Sequence, residues 1–552
     1  MILQVFICLL LMSLYPLLIT QGRRRKIWSA ILLIGLSAAS YFFVINLNTQ
    51  PQDSFIYQWL PYELLKADFR ISASQNVQNM LKPLIIMLLG LVYLNTIYKG
   101  EQHSLHFNTL LILNFVALIL MLSSHDFFQL MFAGCMFSVI GFYMPDISAP
   151  RKTLFIFYFF AETSIFIALS VVYGSIHSIS LADMDMFLSK GQHKDIVSGL
   201  LLFAIACKSG LFLFSSQYFN LKQISSNRII CIMLTSVPIS AMVLLIKIKP
   251  LLTATSLAPS ILPWWIYVSV FSYLLIYLFN NNIKSKIISI MMAGIAASLH
   301  FIYVNSAFLY DLVPYILCVA FLISMTLVII FNSTPKESDI TYIRGYWRIT
   351  KLNFVICLLL GVTSIAILAR FPLNIYETVY VSCFLAVTFA VFRRVFFAGH
   401  GNAITLLSNT HNANLLYILP LVVISIWFLW QTNFWKYEQF YILQTVCFIM
   451  LFLPITKWID VISKLKIWDV AFFDTFYENI FVHPLKLFGR ILWLSFDVVV
   501  VERSIIASIS QLSKNFVGEL HKIQENRKYG YILSVASGFL IIIIYFFRNI
   551  YK

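Results

Sequence analysis

Long apolar runs recur along almost the whole chain and alternate with short polar segments. A helix needs about 20 consecutive apolar residues to cross the hydrocarbon core of a bilayer, and most of the runs have about that length. The pattern therefore predicts about sixteen membrane-spanning helices. They are expected near residues 2–20, 27–46, 80–98, 107–124, 126–144, 151–173, 197–214, 228–247, 260–280, 284–303, 309–331, 351–370, 373–397, 415–431, 438–456 and 529–547.

Composition agrees with this pattern. Hydrophobic residues make up 60% of the 552 positions and charged residues 11%, whereas a soluble domain carries roughly 25% charged residues. The expected fold class is therefore all-α, a polytopic helical bundle in lipid, rather than a string of soluble domains.

Basic residues collect in alternate loops between the predicted spans. The loops after odd-numbered spans hold about twice as many lysines and arginines as the others. Because cytoplasmic loops carry such an excess, these loops should face the cytoplasm, with both termini outside a bacterial inner membrane. The first set is Arg23, Arg24, Arg25, Lys26, Lys99, Arg151, Lys152, Lys222, Arg228, Lys284, Lys286, Lys336, Arg344, Arg348, Lys351, Arg393 and Arg394. The second set is Lys66, Arg70, Lys82, Lys190, Lys194, Lys247, Lys249, Arg370 and Lys436. The net charge of +16 is explained in the same way, so no nucleic-acid partner is expected.

Residues 457–528 interrupt the series of spans because they are too polar to cross a bilayer. Their apolar positions recur every three or four residues, which predicts an amphipathic helix lying flat on the cytoplasmic side. A helix from about Lys486 to Asn526 would be about 60 Å long at 1.5 Å per residue, long enough to brace a neighbouring protein. The apolar positions are Ile505, Ile509, Leu512, Phe516, Leu520 and Ile523.

Four regions follow from this organisation. Residues 1–100 hold the N-terminal transmembrane helices, and residues 101–460 form the transmembrane core. Residues 461–528 form the lateral amphipathic region, and residues 529–552 contain the final span.

The eight cysteines lie within or at the edges of apolar runs, and none forms a CxxC pair. They predict small buried thiols between helices rather than a disulfide framework, a zinc site or an iron–sulfur site. No metal or other cofactor is expected. The cysteines are Cys8, Cys135, Cys207, Cys231, Cys318, Cys357, Cys383 and Cys447.

Charged residues inside the apolar runs are the best pointers to function, because each costs roughly 2.5–3.5 kcal/mol to insert and is usually paired or used. Lys208 lies deep in the seventh predicted span, Glu162 lies near the middle of the sixth, and Glu377 lies about one turn into the thirteenth. His300 and Asp311 flank a short turn nearer a surface. Lys208, Glu162 and Glu377 are the candidate proton-path residues.

A buried lysine beside a carboxylate is the smallest unit that can move a proton. Burial favours the neutral lysine and the carboxylate favours the charged one, so a conformational change can switch protonation. The same two residues could equally form a static ion pair that locks two helices together. The residues alone leave both interpretations open.

No hydrolytic triad, phosphate-binding glycine loop or dinucleotide fingerprint occurs in the sequence. We therefore expect no catalytic residue and no bound nucleotide or flavin. At most, the chain is a non-redox membrane subunit of an enzyme complex.

Several stretches resemble one family, the antiporter-like membrane subunits. The whole chain resembles the largest such subunit of NADH:quinone oxidoreductase (complex I), called subunit L in bacteria and subunit 5 in mitochondria; Mrp-type antiporter subunits are relatives. The matching stretches are ADFRISASQNVQNML at 67–81, LLLFAIACKSGLF at 201–213, ESDITYIRG at 337–345, FRRVFF at 392–397 and FFDTFYENIFVHPL at 472–485. A lateral helix followed by one final span is also the layout of that subunit.

The chain departs from the family at several functional positions. Gly134-Cys135 stands where the family has Trp-Glu in the fifth span, so the key glutamate is absent. Met233 stands near a family histidine, and residues 315–320 lack the eleventh-span lysine. Lys208 matches the family's seventh-span lysine, and Glu162 falls within about one residue of its sixth-span aspartate.

The resemblance implies a broken helix near Lys208, a central proton path and no redox centre in this chain. The departures imply weak or absent proton transfer. Two alternatives stay open: a structural paralogue that only scaffolds a membrane complex, and a subunit of a Mrp-type cation/proton antiporter. Each reading implies membrane subunits of a complex I-like or antiporter-like assembly as partners, together with the lipid bilayer.

Overall fold

The computed structural model describes residues 53–62, 65–72, 104–145, 148–178, 180–190, 193–235, 237–280, 282–304, 483–492 and 507–526, together with a few shorter stretches. The chain divides into two compact units, Met1–Phe473 and Asp474–Lys552. Glu377 and Asp311, and nine of the sixteen predicted spans, lie entirely or mainly outside the described residues.

The first unit is built almost entirely of helices in its described part. Two 3-10 turns, Leu181–Asp183 and Asn220–Gln223, connect neighbouring helices. The helices are α1 (Ser104–Leu122), α2 (Phe127–Tyr143), α3 (Ser148–Ile176), α4 (Met184–Lys190), α5 (Lys194–Ser209), α6 (Ser216–Phe219), α7 (Ser226–Thr235), α8 (Val237–Thr253), α9 (Leu257–Phe279) and α10 (Ile283–Val304).

One β-hairpin is an addition to the predicted all-α fold. Strands β1 (Asp53–Tyr62) and β2 (Leu65–Ser72) pair antiparallel, with Asp53 opposite Ser72. The hairpin lies between the second and third predicted spans, in a stretch that contains no apolar run long enough to be a span. Antiparallel strands can be joined by a tight turn, so such a pair needs no apolar run of the length that a span requires.

Four helices in the described part are long and apolar enough to cross a membrane: Pro150–Ile176, Arg228–Thr253, Leu257–Phe279 and Ile283–Val304. They coincide with the sixth, eighth, ninth and tenth predicted spans within a few residues. Two shorter apolar helices, Phe107–Leu122 and Phe127–Tyr143, fall on the fourth and fifth. The seventh predicted span, 197–214, is not one helix, because α5 ends at Ser209.

Helix α5 lies at the centre of this bundle, in contact with α3, α8 and α9. Helices α8 and α10 are buried over nearly all of their length, whereas α3 and α9 each expose one side. The exposed side is strongly apolar, with Phe159 58% and Phe271 65% exposed. Side chains of this kind are compatible with lipid contact rather than with water.

Several basic residues that the loop analysis used are bound to the ends of helices instead. Lys247 Nζ donates to the Ser124 carbonyl oxygen at 2.9 Å, just after α1 ends. Lys249 Nζ donates to the Ile302 carbonyl oxygen at 2.8 Å, in the last turn of α10. A cation is stabilised at a helix C-terminus because the terminal carbonyls are unpaired and negative.

Lys286 is the clearest case. Its side chain is fully buried, and Nζ donates to the carbonyl oxygens of Tyr277 and Leu278 at the end of α9. Arg228, also buried, lies over the Phe107 ring, and Lys284 donates to the Ile224 carbonyl. Without these three residues the larger set of loop lysines and arginines stays about twice the smaller set, which itself loses Lys247 and Lys249. The orientation of the chain in the membrane therefore stays a prediction.

The second unit contains two described helices, α11 (His483–Leu492) and α12 (Ala507–Asn526). Both fall within the predicted lateral helix, and their described side chains, including Leu487 and Leu512, are exposed. The residues between them lie largely outside the described part, so one continuous lateral helix remains a prediction.

Candidate functional site

Lys208 lies in the last turn of α5, one residue before the helix ends. Its side chain is completely buried, in the middle of the apolar helix bundle. The carbonyl groups at the end of α5 place negative partial charge near the residue, which attracts a cation. Position in the helix therefore offsets part of the cost of burying this lysine.

Glu162, near the middle of α3, is the partner of Lys208. Lys208 Nζ lies 2.6 Å from Glu162 Oε1, and the glutamate side chain is 15% exposed. The Ser138 hydroxyl, from α2, donates to the same carboxylate oxygen at 2.5 Å. Three helices thus contribute one residue each to a compact polar cluster, in which two donors bind one carboxylate oxygen.

Gly134 makes room for this pair. A Cβ atom at Gly134 would lie 3.1 Å from Lys208 Nζ and 3.5 Å from Glu162 Oε2. Gly134 and Ser138 are four residues apart and therefore share one face of α2. The adjacent Cys135 thiol also lies close to the Glu162 carboxylate. Gly134 and Cys135, which the sequence resemblance aligns with a Trp-Glu pair, therefore border the ion pair directly.

The chain breaks its helix immediately after Lys208. Gly210 adopts a left-handed conformation (φ 64°) that ends α5, and Leu213 has a φ of 85°. Glycine suits the first position because it has no Cβ, whereas a left-handed leucine is strained. A four-residue helix, α6, follows at Ser216. The broken helix that the family resemblance implied near the lysine is present.

A helix end inside an apolar bundle leaves carbonyl groups that water cannot reach, so side chains must bind them. Gln217 Nε2 donates to the Cys207 carbonyl, and the Tyr218 hydroxyl donates to the Lys208 carbonyl at 2.5 Å. Both donors come from α6 and are buried. The short helix therefore folds back to cap the helix that carries the lysine.

Helix α9 binds the rest of the break, residues 210–212. Trp265 Nε1 donates to the Phe212 carbonyl at 2.8 Å, and the Ser269 hydroxyl accepts from the Phe212 N–H at 2.9 Å. The Tyr273 hydroxyl donates to the Gly210 carbonyl. The backbone on both sides of the break is thus fixed by named side chains of α6 and α9.

The structure brings together two of the three predicted proton-path residues, Lys208 and Glu162; Glu377 lies outside the described residues. His300, also singled out from the sequence, lies in α10 and packs its ring against Tyr267 with centroids 4.9 Å apart. His300 Nε2 lies 3.5 Å from the Tyr267 hydroxyl. The histidine side chain is buried and lies about one turn before α10 ends at Val304.

Cys135, Cys207 and Cys231 are free thiols in the described part, and the last two are buried between helices. No group of three or more His, Cys, Asp and Glu side chains within the described residues could hold a metal ion.

Sequence reasoning missed Ser138, Gly134 and the hydrogen-bonding residues of α9. A weak signal existed for the first two, since Gly134 and Ser138 are spaced four residues apart in an apolar span. The α9 residues gave a similar signal, a polar side chain every four residues. Neither spacing identifies what the side chains bind, because that depends on the path of the neighbouring chain segments.

Comparisons with known proteins bear on the fold. No protein-family model matches the chain, and no curated protein sequence does. Among solved structures, the chain is similar to a chain of the Mrp complex from Dietzia sp. DQ12-45-1b, with a TM-score of 0.62 and 11% identity. The match covers 98% of this chain and 61% of the Mrp chain, so the protein spans less than two thirds of that relative.

A second similar chain belongs to respiratory complex I from Thermus thermophilus with bound Aureothin. Its TM-score is 0.51 at 15% identity, and the match covers 81% of this chain and 96% of that one. The chain shares its fold with membrane subunits of these two complexes. It is a helical membrane protein, as the sequence predicted, and at these identities the likeness to both complexes concerns the fold alone.

Replacing Gly210 with alanine should destabilise the protein. The new Cβ would lie 2.6 Å from the Met292 Cε atom and from the Tyr218 ring, and the left-handed backbone is itself unfavourable for alanine. Overpacking costs roughly 1–3 kcal/mol and the backbone about 1 kcal/mol more. Thermal unfolding in detergent should show a clearly lower Tm. Gly199→Ala on α5, where nothing lies within 4 Å, is the matched control; equal Tm values for the two variants would contradict the packing argument.

The Lys208–Glu162 pair should show strong energetic coupling. Glu162→Gln leaves a buried ammonium without its counter-ion, which costs about 3–5 kcal/mol in comparable buried pairs. Adding Lys208→Met removes that charge and should recover part of the loss. A double-mutant cycle on chemical unfolding measures the coupling. Lys152→Met, at an exposed position of α3, should change stability little; additive effects of the two pair substitutions would refute the coupling.

Proposed function

We propose that this chain is a subunit of a proton-translocating membrane complex, related to subunit L/5 of complex I, in which Lys208 and Glu162 form a reduced proton path. The observation that carries the proposal is the buried ion pair directly beside a helix break. A broken helix at membrane depth is tolerated where it is buried in protein or lines a water-filled cavity, and a buried lysine beside such a break can carry a proton because its protonation responds to its surroundings.

Proton transfer by the pair requires a second arrangement, in which Lys208 Nζ has moved away from Glu162 Oε1. The lysine side chain has four rotatable carbons, and its backbone lies one residue from the end of α5. Glu162 Oε2 is buried and has no hydrogen-bond partner within the described residues, so this oxygen is the position on the carboxylate that can receive a proton. Movement of Lys208 away from Oε1 would make that protonation favourable.

The proposed proton path has fewer ionisable residues than the path of the family that the sequence resembles. The family's fifth-span carboxylate is replaced at Gly134 and Cys135, both beside the pair, so the lysine relies on Glu162 from α3 as its counter-ion. The eleventh-span lysine is missing from 315–320. Because the fifth-span carboxylate and the eleventh-span lysine are both absent, we expect proton transfer to be slow compared with that of an intact antiporter-like subunit. Glu377 is the remaining acidic candidate for an exit step.

The Mrp-type antiporter is the second candidate, and one observation favours it: the similarity to the Mrp chain extends over 98% of this protein with the higher TM-score. Under that reading the same lysine–glutamate pair would exchange protons against a cation. A scaffold without transport is the third candidate, in which the pair only locks α3 to α5. All three predict membrane subunits as partners and a multi-pass location in a cell membrane.

Proton transport by the purified complex should depend on the pair. In vesicles containing the intact assembly, Lys208→Ala and Glu162→Gln should each reduce proton uptake at least about tenfold, the effect expected when a positioned proton-transfer group is removed. A pH-sensitive dye reports uptake, with Lys152→Ala as the matched surface control. Wild-type uptake in both pair variants would contradict the proposal and leave the scaffold reading.

Co-purification decides between the two assemblies. The tagged protein should be extracted in mild detergent and its partners identified by mass spectrometry. Recovery of an NADH-oxidising arm would support the complex I reading, whereas recovery of antiporter subunits together with sodium-dependent proton uptake would support the Mrp reading. Nothing recovered in stoichiometric amount would argue against both.

A further inference from the structure

Helix α9 carries three hydrogen-bonding side chains spaced four residues apart: Trp265, Ser269 and Tyr273. This spacing places them along one face of the helix. All three bind the backbone of the break after α5, at Gly210 and Phe212. We name these three residues the α9 clamp.

The donor and the acceptor of each clamp hydrogen bond follow from the chemistry of the side chain. The Ser269 hydroxyl donates its hydrogen to the Trp265 carbonyl at 2.6 Å, so its lone pairs are left to accept the Phe212 N–H. Trp265 can only donate through Nε1, and it binds the Phe212 carbonyl. One residue of the break thus has both its backbone groups held by two adjacent turns of α9.

A neighbouring serine shows that this arrangement is specific to the clamp. Ser272 lies in the same helix, and its hydroxyl donates to the Val268 carbonyl at 2.7 Å, within α9 itself. A serine hydroxyl in an apolar helix commonly makes such an internal bond. Ser269 does the same and in addition reaches another segment, because its face of α9 is turned toward the break.

The clamp acts on the segment that fixes Lys208. Gly210 is two residues beyond Lys208, and its carbonyl is held by Tyr273. The left-handed Leu213 follows within the same short turn, so the backbone has little freedom to adjust locally without losing a clamp bond. Release of the clamp would let the end of α5 move, and Lys208 with it.

We propose that Trp265, Ser269 and Tyr273 are positioning residues that hold Lys208 against Glu162 by clamping the helix break to α9. The clamp makes no contact with the carboxylate and acts through the backbone of Gly210 and Phe212. This inference goes beyond the proposed function, since the clamp would set the geometry of the pair whether or not the chain transports protons.

The pair has a defined set of polar neighbours, which any titration of it must take into account. Helix α2 contributes Ser138 and Cys135, and α3 contributes Tyr158, one turn before Glu162. From α6, Tyr218 binds the Lys208 carbonyl and lies beside Tyr158. The clamp adds Tyr273 from α9. None of the clamp substitutions below alters the residues that contact Glu162.

Glu162 protonation can be measured with a hydrophobic carbodiimide, which modifies buried carboxyl groups only in their protonated form. The whole protein in detergent or vesicles is treated across a pH series, and modified Glu162 is quantified by peptide mass spectrometry. Glu162→Gln identifies the signal. If the clamp holds Lys208 in place, Ser269→Ala and Tyr273→Phe should extend labelling to higher pH by about one unit, because a nearby cation favours the ionised carboxylate by about that much or more.

Controls separate positioning from general damage. Ser272→Ala removes a hydroxyl from the same helix without touching the break and should keep the wild-type pH profile, while Ser269→Thr retains a hydroxyl and should restore it. Tyr273→Phe removes a single oxygen, and its Tm verifies folding. A wild-type profile in both clamp variants, or an equal shift in Ser272→Ala, would overturn the proposal. Labelling does not require transport, so the two proposals can fail separately. A shifted labelling profile in the clamp variants, together with no proton uptake by the wild-type assembly, would reject the proposed function and support the clamp.

Discussion

The ion pair between Lys208 and Glu162 is the interaction on which the described bundle depends. An ammonium group at the centre of an apolar bundle needs partners that offset its loss of water, and for Lys208 the 2.6 Å contact with a carboxylate supplies one. The pair joins α3 to α5, and the Ser138 hydroxyl joins α2 to the same oxygen. Because Gly134 lacks a side chain, α2 can approach closely enough for this third contact.

A second constraint follows from the first. The lysine lies at the end of a helix that stops inside the bundle, so the carbonyl groups of the helix end need donors from the protein itself. Helices α6 and α9 provide them through Gln217, Tyr218 and the three clamp residues. The same device recurs at other helix ends, where Lys247 and Lys286 bind terminal carbonyl groups. Many polar side chains of the described helices thus bind backbone groups, whereas the partner of Glu162 is a charged side chain.

The fold and part of the site could be predicted from the sequence. Apolar runs about 20 residues long located the spans of α3, α9 and α10 within a few residues, since the thickness of the bilayer sets that length. An acidic and a basic residue deep in neighbouring spans were also recognisable as candidates, because insertion of either is costly. The hairpin at 53–72 and the end of α5 at Ser209 were not predicted, as short strands and a break within an apolar segment leave the hydropathy nearly unchanged.

By itself, then, the sequence determined that the chain is a helical membrane protein with charged residues at Lys208 and Glu162. The tertiary structure decided that these two residues meet, because contact between α3 and α5 depends on helix packing and rotation that periodicity does not encode. It also decided the roles of Gly134 and Ser269, whose chemistry is unremarkable until a neighbouring backbone comes within hydrogen-bonding distance. The physical reason is the same in each case: burial cost is a local property of the sequence, whereas the partner that offsets it is supplied by a distant segment.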